Sequence, residues 1–548
     1  MALNIADLVE HAVDLVPERA AVICGERQVS YAQLDERANR LANHLAAHGV
    51  GPGDHVGVHS RNSIEMVESM LAAYKLRAVA ININYRYTRA ELRYVFDNSD
   101  LVALVHERRY APLVADVLPE VPRLRHVVYT EDGTDENVSY SAVEYEAALA
   151  AASPARDFPE RSPDDIYILY TGGTTGQPKG VLWRQEDVWR VLGGGIDFLT
   201  GVPVEDEWQQ ARQGQAYGLV RLCAPPMIHG AAQWGVFGAL FTGSTVVLLP
   251  QFDADQVWRA VERHKVQVMM IVGDAMARPL IESYRDGQYD LSSLAAISSS
   301  AALFSKAVKE QYVAAFPNTV ITDAIGASET GFTGIGVVQS GAPQSGGPRV
   351  KADPASIVLG DDGRPTPPGV IGKLARGGHL PLGYYKDEAK SAALFTEVDG
   401  KRYAVPGDFA RLEEDGTVTL LGRGNMCVNT AGEKVFPEEV EGVLKSHPDV
   451  FDALVIGVPD ERLGQRVGAV VQARPGRTLS YEELAAHARQ QIAGYKVPRS
   501  IWVVEEISRL PSGKPDYRWA QALVADQAPT AVVRTTAGLG GSRAHGAV

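Results

Sequence analysis

Apolar positions recur at helical spacing from Leu34 through Leu45, and the turn-forming run Gly49-Val-Gly-Pro-Gly-Asp54 precedes a strand-like Val56-Gly-Val-His59. Helix and strand signals then alternate. Met66 to Leu76 predicts a helix, Ala78 to Ile83 a buried strand, Arg89 to Asn98 a helix and Leu101 to Val105 another buried strand. The alternation returns at Val257–His264, Val266–Val272 and the segment ending in Val320-Ile-Thr-Asp323. Such an order implies right-handed crossovers and parallel sheets covered by helices, so the fold class is α/β. Near Leu421-Gly-Arg-Gly-Asn425 the pattern changes to a compact block of alternating helix and strand. The expected organisation is a large domain over 1–424, a small α+β domain over 425–524, and a disordered tail over 525–548 that is rich in Ala, Gly and Thr.

One run carries candidate chemistry. Tyr170-Thr-Gly-Gly-Thr-Thr-Gly-Gln-Pro-Lys179-Gly180-Val181 follows a short strand signal at Ile166–Tyr170. Glycines at 172, 173, 176 and 180 let backbone N–H groups approach oxygens, Thr171, Thr174 and Thr175 add hydroxyl donors, and Lys179 adds charge. A phosphate cradle is built this way, although a flexible turn has a similar composition. It is not a Walker loop, because Pro178 precedes Lys179 and Gly180 follows it.

A chain of 548 residues, 45% hydrophobic and 22% charged, is long enough for several cores. A net charge of -14 argues against nucleic acid or an anionic membrane as the main partner. No apolar run reaches spanning length, since Phe237–Pro250 is broken by Gly, Thr and Ser. The start of the chain lacks the form of a signal peptide, and Cys24, Cys223 and Cys427 are isolated. Together these predict a cytoplasmic location and no multi-cysteine metal site.

The glycine–threonine run resembles the phosphate-binding motif of the adenylate-forming superfamily, which includes acyl-CoA synthetases, firefly luciferase and peptide-synthetase adenylation domains. The resemblance extends from about Tyr31 to Arg518, with several motifs in the family's order. Gly172 stands where the family usually has Ser, which removes one hydroxyl. Ala224-Pro-Pro-Met-Ile-His229-Gly230 resembles the motif at the acyl-pocket entrance, although a lone histidine is more often structural. Ser300, Ala301 and Ala302 align with the backbone shelf for adenine, and equally suit a tight strand-to-helix turn.

Ile325-Gly326-Ala-Ser328-Glu329 resembles the family's Tyr-Gly-x-Thr-Glu. Ile325 takes the place of the aromatic that stacks on adenine, Ser328 that of the α-phosphate contact, and Glu329 that of the Mg²⁺ ligand. Thr174 is the second implied metal contact, and Asp323 is counted among the nucleotide positions. Asp408, after Pro406 where the family has Thr, is the ribose candidate, with Arg423 beside the same sugar. Gly432 matches a loop beside the pantetheine tunnel, Asn425 aligns with the hinge, and Lys514 in Ser512-Gly513-Lys514-Pro515 matches the catalytic lysine. His229, Trp234, Gly326 and Gly331 are the candidates for contact with the acyl group.

The resemblance thus implies ATP, Mg²⁺ and coenzyme A as cofactors, with a small-molecule carboxylic acid as substrate, a mobile C-terminal domain, and a homodimer left open. Ile228-His-Gly and Gly432-Glu-Lys-Val-Phe-Pro-Glu-Glu look similar to actinobacterial fatty-acyl-CoA ligases, a group that includes enzymes activating steroid side-chain acids. The expected reaction is therefore AMP-forming synthesis of a CoA thioester from a medium-chain, long-chain or bulky apolar acid. An enzyme loading an acyl carrier protein and a non-catalytic ATP-binding module are the alternatives.

Overall fold

The computed structural model describes residues 4–171, 177–195, 202–286, 289–338, 347–430, 433–510 and 514–532. The chain divides into two compact units: one runs to Arg423 and takes in Arg509–Pro515, and the other comprises Gly424–Ser508 and the chain from Asp516 onward.

Helix boundaries in the first unit follow their caps. The helix Ile64–Lys75 starts two residues before the apolar signal, because the Ser63 hydroxyl accepts from the Met66 N–H at 3.0 Å. Asp253 likewise extends the next predicted helix back to Ala254–His264, and Lys265 ends it in the left-handed conformation at φ 51°. The helix Arg89–Asn98 keeps its predicted bounds. Val79–Asn82, His55–His59, Leu101–Glu107, His126–Thr130 and Val143–Glu144 form a wholly parallel sheet in that order.

A second sheet has fifteen strands among the described residues. Ala20–Cys24, Thr245–Leu248, Val220–Cys223, Val268–Ile271, Ala296–Ser299 and Val320–Ala327 make its parallel part. Beyond Val320–Ala327 the neighbours Gly331–Val337, Arg349–Ala352, Thr417–Arg423 and Asp408–Leu412 pair antiparallel. Parallel strands ending beside an antiparallel layer leave a row of strand ends and turns, and Ser300–Ala302 and Glu329 lie among them. A small third sheet joins Ile166–Thr171, Lys179–Arg184 and Gly383–Tyr384.

In the second unit Val450–Asp460 and Gly464–Ala473 form a long hairpin, and Ser500–Val504 pairs parallel with the latter strand. Pro437 opens the helix Pro437–Lys445 with Glu438 and Glu439 in its first turn. The stretch expected as a tail from 525 is structured as far as 532. The helix Tyr517–Asp526 continues through that point because it packs Tyr517 and Ala520 into a core with Trp502, and Ala531–Val532 pairs with the strand Ser500–Val504. Residues 533–548 lie outside the described residues.

The helix Ile64–Lys75 is buried along its whole length, so its charges need partners. Lys75 is fully buried and its ammonium donates to Glu10 and to Asp35, at 2.5 and 2.7 Å. Burial would raise both carboxyls, but Lys75, helped by Arg161 at Glu10 and by Arg156 at Asp35, holds them below their ordinary values. A carboxyl depressed by folding stabilises above its unfolded pKa, so this contribution is lost as pH falls from about 4.5. Lys75→Met removes the shared cation and is expected to cost about 3–5 kcal/mol. Urea unfolding at pH 7 measures this, and a loss below about 1 kcal/mol would show that the arginines suffice.

Candidate active site

The glycine–threonine run is carried by a hairpin. Ile166–Thr171 and Lys179–Arg184 pair antiparallel from Ile166 opposite Arg184 to Thr171 opposite Lys179, so the loop leaves and returns at adjacent positions. Gly172, Gly173, Thr174, Thr175 and Gly176 lie outside the described residues, as does Gly432. The base of the hairpin is fixed by a residue that the sequence did not single out. Asn82, at the end of its strand and buried, accepts from the Tyr170 N–H at 2.9 Å and donates to the Tyr170 carbonyl at 2.9 Å and to the Ile228 carbonyl at 2.6 Å. Asn62 does the same for the neighbouring segment, accepting from the Met227 N–H at 2.7 Å and donating to the Pro225 carbonyl at 3.1 Å.

His229 follows these braced residues as the N-cap of the helix Gly230–Phe241. Burial holds its imidazole well below the usual value, at about 3, with Lys514 and Arg86 adding to the effect. The ring is therefore neutral across the working pH range, and its buried Nε2 has no hydrogen-bond partner among the described residues. Trp234, on the same helix, is 3% exposed and meets Tyr167 edge-on at 5.2 Å between centroids. It forms a wall rather than an exposed platform.

Glu329 sits in the turn between Val320–Ala327 and Gly331–Val337 and is 7% exposed. The buried Trp183 indole donates to the Ser328 carbonyl at 3.0 Å and fixes this turn. Gly331 has φ +69°, and a Cβ there would lie 2.4 Å from Val191 Cγ2, so no other residue fits without displacement. The Tyr384 hydroxyl donates to Glu329 Oε1 at 2.9 Å, while the Lys179 ammonium lies 4.1 Å from the centre of the Tyr384 ring. Tyr384 thus links the hairpin cation to the turn carboxylate. Its Gly-Tyr-Tyr surroundings look like ordinary strand residues, and only the pairing of Gly383–Tyr384 with Lys179–Arg184 reveals the position.

Asp408 and Arg423 face each other in register on adjacent strands, with Arg423 Nε 3.3 Å from Asp408 Oδ1. Burial raises the Asp408 carboxyl, Glu329 adding to this while Arg423 and Lys514 oppose it. Burial lowers Lys514 below the ordinary ammonium value, Arg423 reinforces that, and Glu329 and Asp408 counter it. These couplings bring Lys514, Glu329, Asp408 and Arg423 into one electrostatic group, and Lys179 joins it through Glu329 and Arg423. Lys179, Arg423 and Lys514 set three cations against two carboxylates, a balance suited to an added polyphosphate.

Other candidates fall differently. Ile325 is 6% exposed and packs with Val350, Val358, Leu374, Ala410 and Val418, so its side chain belongs to a core rather than to an open face. Strand alternation explains this, since Ile321, Asp323 and Ile325 share the buried side. Asp323 is 3% exposed and forms an ion pair with Lys309 at 2.6 Å, which separates it from the group around Glu329. Gly326 is exposed next to Ile325. Ser300–Ala302 form a tight turn in which the Ala302 N–H donates to the Ser300 carbonyl at 2.8 Å and Ala301 has φ +67°. Asn425 lies in the single helical turn Gly424–Met426, beside the division between the units.

Residues 9–385 match the model of the AMP-binding enzyme family, and residues 439–514 match that of the AMP-binding enzyme C-terminal domain. The chain is 60% identical over 531 residues to the 3-oxocholest-4-en-26-oate--CoA ligase of Rhodococcus rhodochrous, covering 95% of this chain and 96% of the relative. It is 57% identical over 526 residues to the medium/long-chain-fatty-acid--CoA/3-oxocholest-4-en-26-oate--CoA ligase of Mycobacterium tuberculosis (strain CDC 1551 / Oshkosh), with 95% and 96% covered. Among solved structures it resembles the anthranilate CoA ligase AuaEII in complex with anthranoyl-AMP, with a TM-score of 0.83, 22% identity and 96% and 98% of the two chains covered. ATP-bound MatB from Rhodopseudomonas palustris gives a TM-score of 0.80 at 24% identity, with 96% and 99% covered. The structural likenesses establish the fold, and with the family models and the sequence identities they show that this chain belongs to the AMP-binding enzyme family.

Proposed function

We propose that this protein is an AMP-forming acyl-CoA ligase whose substrate is a medium-chain, long-chain or steroid side-chain carboxylic acid. The observation that carries the reading is the joining of Lys179, Glu329, Asp408, Arg423 and Lys514 in one charged group beside the hairpin of the glycine–threonine run. The names of the two actinobacterial relatives support the acid class.

In this reading the loop 171–176 and Lys179 hold the ATP phosphates, Ser300–Ala302 and Gly326 border the adenine, and Asp408 and Arg423 take the ribose. Glu329 is buried with one oxygen already oriented by Tyr384, a donor that suits a hard divalent cation, and with Thr174 it would hold Mg²⁺. The ion would neutralise charge on phosphate oxygens. Lys514 brings its ammonium between the substrate carboxylate and the α-phosphate. A carboxylate oxygen then bonds to the α-phosphorus, the bond to the bridging oxygen breaks, and pyrophosphate leaves with that electron pair. His229 and Trp234 border the acyl group as neutral walls. In the second step the CoA thiol loses its proton to solvent, its sulfur attacks the acyl carbonyl carbon and AMP departs. Gly432 lines the thiol path and Asn425 acts as the hinge.

Incubating the protein with ATP, Mg²⁺, CoA and acids from short fatty to aromatic to steroid side-chain acids tests the reading. Thioester and AMP are expected from the long-chain and steroid acids, and no pyrophosphate from any acid would overturn it. Lys514→Ala is expected to slow acyl-AMP formation by about 100-fold or more, while thioester formation from supplied acyl-AMP changes only a few-fold. Equal loss in both steps would remove Lys514 from the first. Tyr384→Phe keeps the ring against Lys179 but deletes the donor to Glu329, and about a tenfold loss in acid-dependent ATP–pyrophosphate exchange is expected. Exchange within twofold of the parent would show that Glu329 is held by other means.

A further inference from the structure

Outside the charged group, His44, His48 and His126 bring one ring nitrogen each to within 4.8 Å of the other two. His44 lies in the last turn of the helix Tyr31–Ala47 and His48 is its C-cap, four residues on and so on the same face. His126 opens the strand His126–Thr130 of the five-stranded sheet. Two separate elements therefore bring three imidazoles together.

The hydrogen bonding defines what these rings offer. His48 Nδ1 lies 2.8 Å from the His44 carbonyl oxygen, which accepts only, so Nδ1 carries the proton and Nε2 of the neutral ring carries the lone pair. Backbone orientation of the second nitrogen is the usual support of a metal-bound histidine. His44 Nε2 and His126 Nε2 lie 2.9 Å apart, so at most one carries a proton between them and at least one presents a lone pair. The rings of His48 and His126 stack at 4.0 Å. The carbonyl end of a helix also favours a cation nearby.

We propose that His44, His48 and His126 form a binding site for a divalent transition-metal ion, zinc by its chemistry, with three imidazole ligands and a fourth position for water. An all-imidazole donor set selects Zn²⁺ and its neighbours over Mg²⁺ or Ca²⁺, which need oxygen. Zinc–nitrogen bonds of about 2.0–2.1 Å at tetrahedral angles place donor atoms about 3.3 Å apart. The close pair opens slightly, and the exposed His48 ring turns out of its stack to aim its lone pair at the ion. Binding ties the end of the helix Tyr31–Ala47 to the sheet edge, a site distinct from any Mg²⁺ held with ATP.

The test uses the full chain, freed of any affinity tag and washed with EDTA. Zn²⁺ is titrated against a chromophoric chelator, and the thermal midpoint is followed with and without the ion. Expected are one ion per chain, a higher midpoint with Zn²⁺, and affinity about 100-fold weaker in His48→Ala and in His126→Ala. His48 is exposed at a helix end, so its variant keeps the fold and decides the matter even where the other is unstable. No saturable uptake, or uptake and midpoint unchanged by His48→Ala, overturns the site.

Discussion

The buried amide of Asn82 is the constraint on which the candidate site depends. It accepts one backbone N–H and donates to two carbonyls, joining the end of a parallel strand to Tyr170 and to Ile228. Tyr170 leads into the glycine–threonine run, and Ile228 leads into His229. Each bond adds about 1 kcal/mol net, but losing the amide would leave three buried backbone groups unsatisfied at once. A hydrophobic residue of similar size would keep the packing and lose the link between the Tyr170 and Ile228 backbones. Asn62 repeats the device at Pro225 and Met227, so the Pro-Pro bend is held from one side by two short, rigid side chains.

Charge is managed differently a few residues away. Trp183 fixes the Ser328 carbonyl, Gly331 lets the turn pass Val191, and Tyr384 orients Glu329 while its ring faces Lys179. Aromatic residues therefore set the positions of a carboxylate and an ammonium without joining them in a closed ion pair. A direct Lys179–Glu329 bridge would satisfy both groups and leave little for a phosphate or a cation. The neighbouring Asp408–Arg423 pair is a cross-strand contact at 3.3 Å, long for a hydrogen bond, which leaves its oxygens able to accept hydroxyls.

The sequence made the layered α/β plan readable because buried parallel strands are uniformly apolar and their helices begin at visible caps. Arg89–Asn98 needed nothing beyond its own residues. Glu329, Asp408, Arg423, Lys179 and Lys514 were legible through motif order. Asn62, Asn82, Trp183 and Tyr384 were not, because their roles arise from partners far away in sequence, such as the 146 residues between Asn82 and Ile228. Ile325 and Asp323 show the converse. Both sit in a recognisable run, but strand alternation turns them inward, one into a core and the other onto Lys309.

Lys514 belongs to a short piece of chain that groups apart from the residues on either side of it. Arg509 and Pro515 form a bridge, and the Leu510 N–H donates to the Lys514 carbonyl at 2.9 Å. Directly after it, Asp516 caps the helix Tyr517–Asp526, whose Tyr517 hydroxyl donates to the buried Glu441 at 3.0 Å. That anchor belongs to the second unit, whereas Arg509–Pro515 groups with the first. Backbone pairing at Leu510 thus holds Lys514, while the Asp516 cap and Tyr517 hold the helix beyond it, two separate local constraints on adjoining residues.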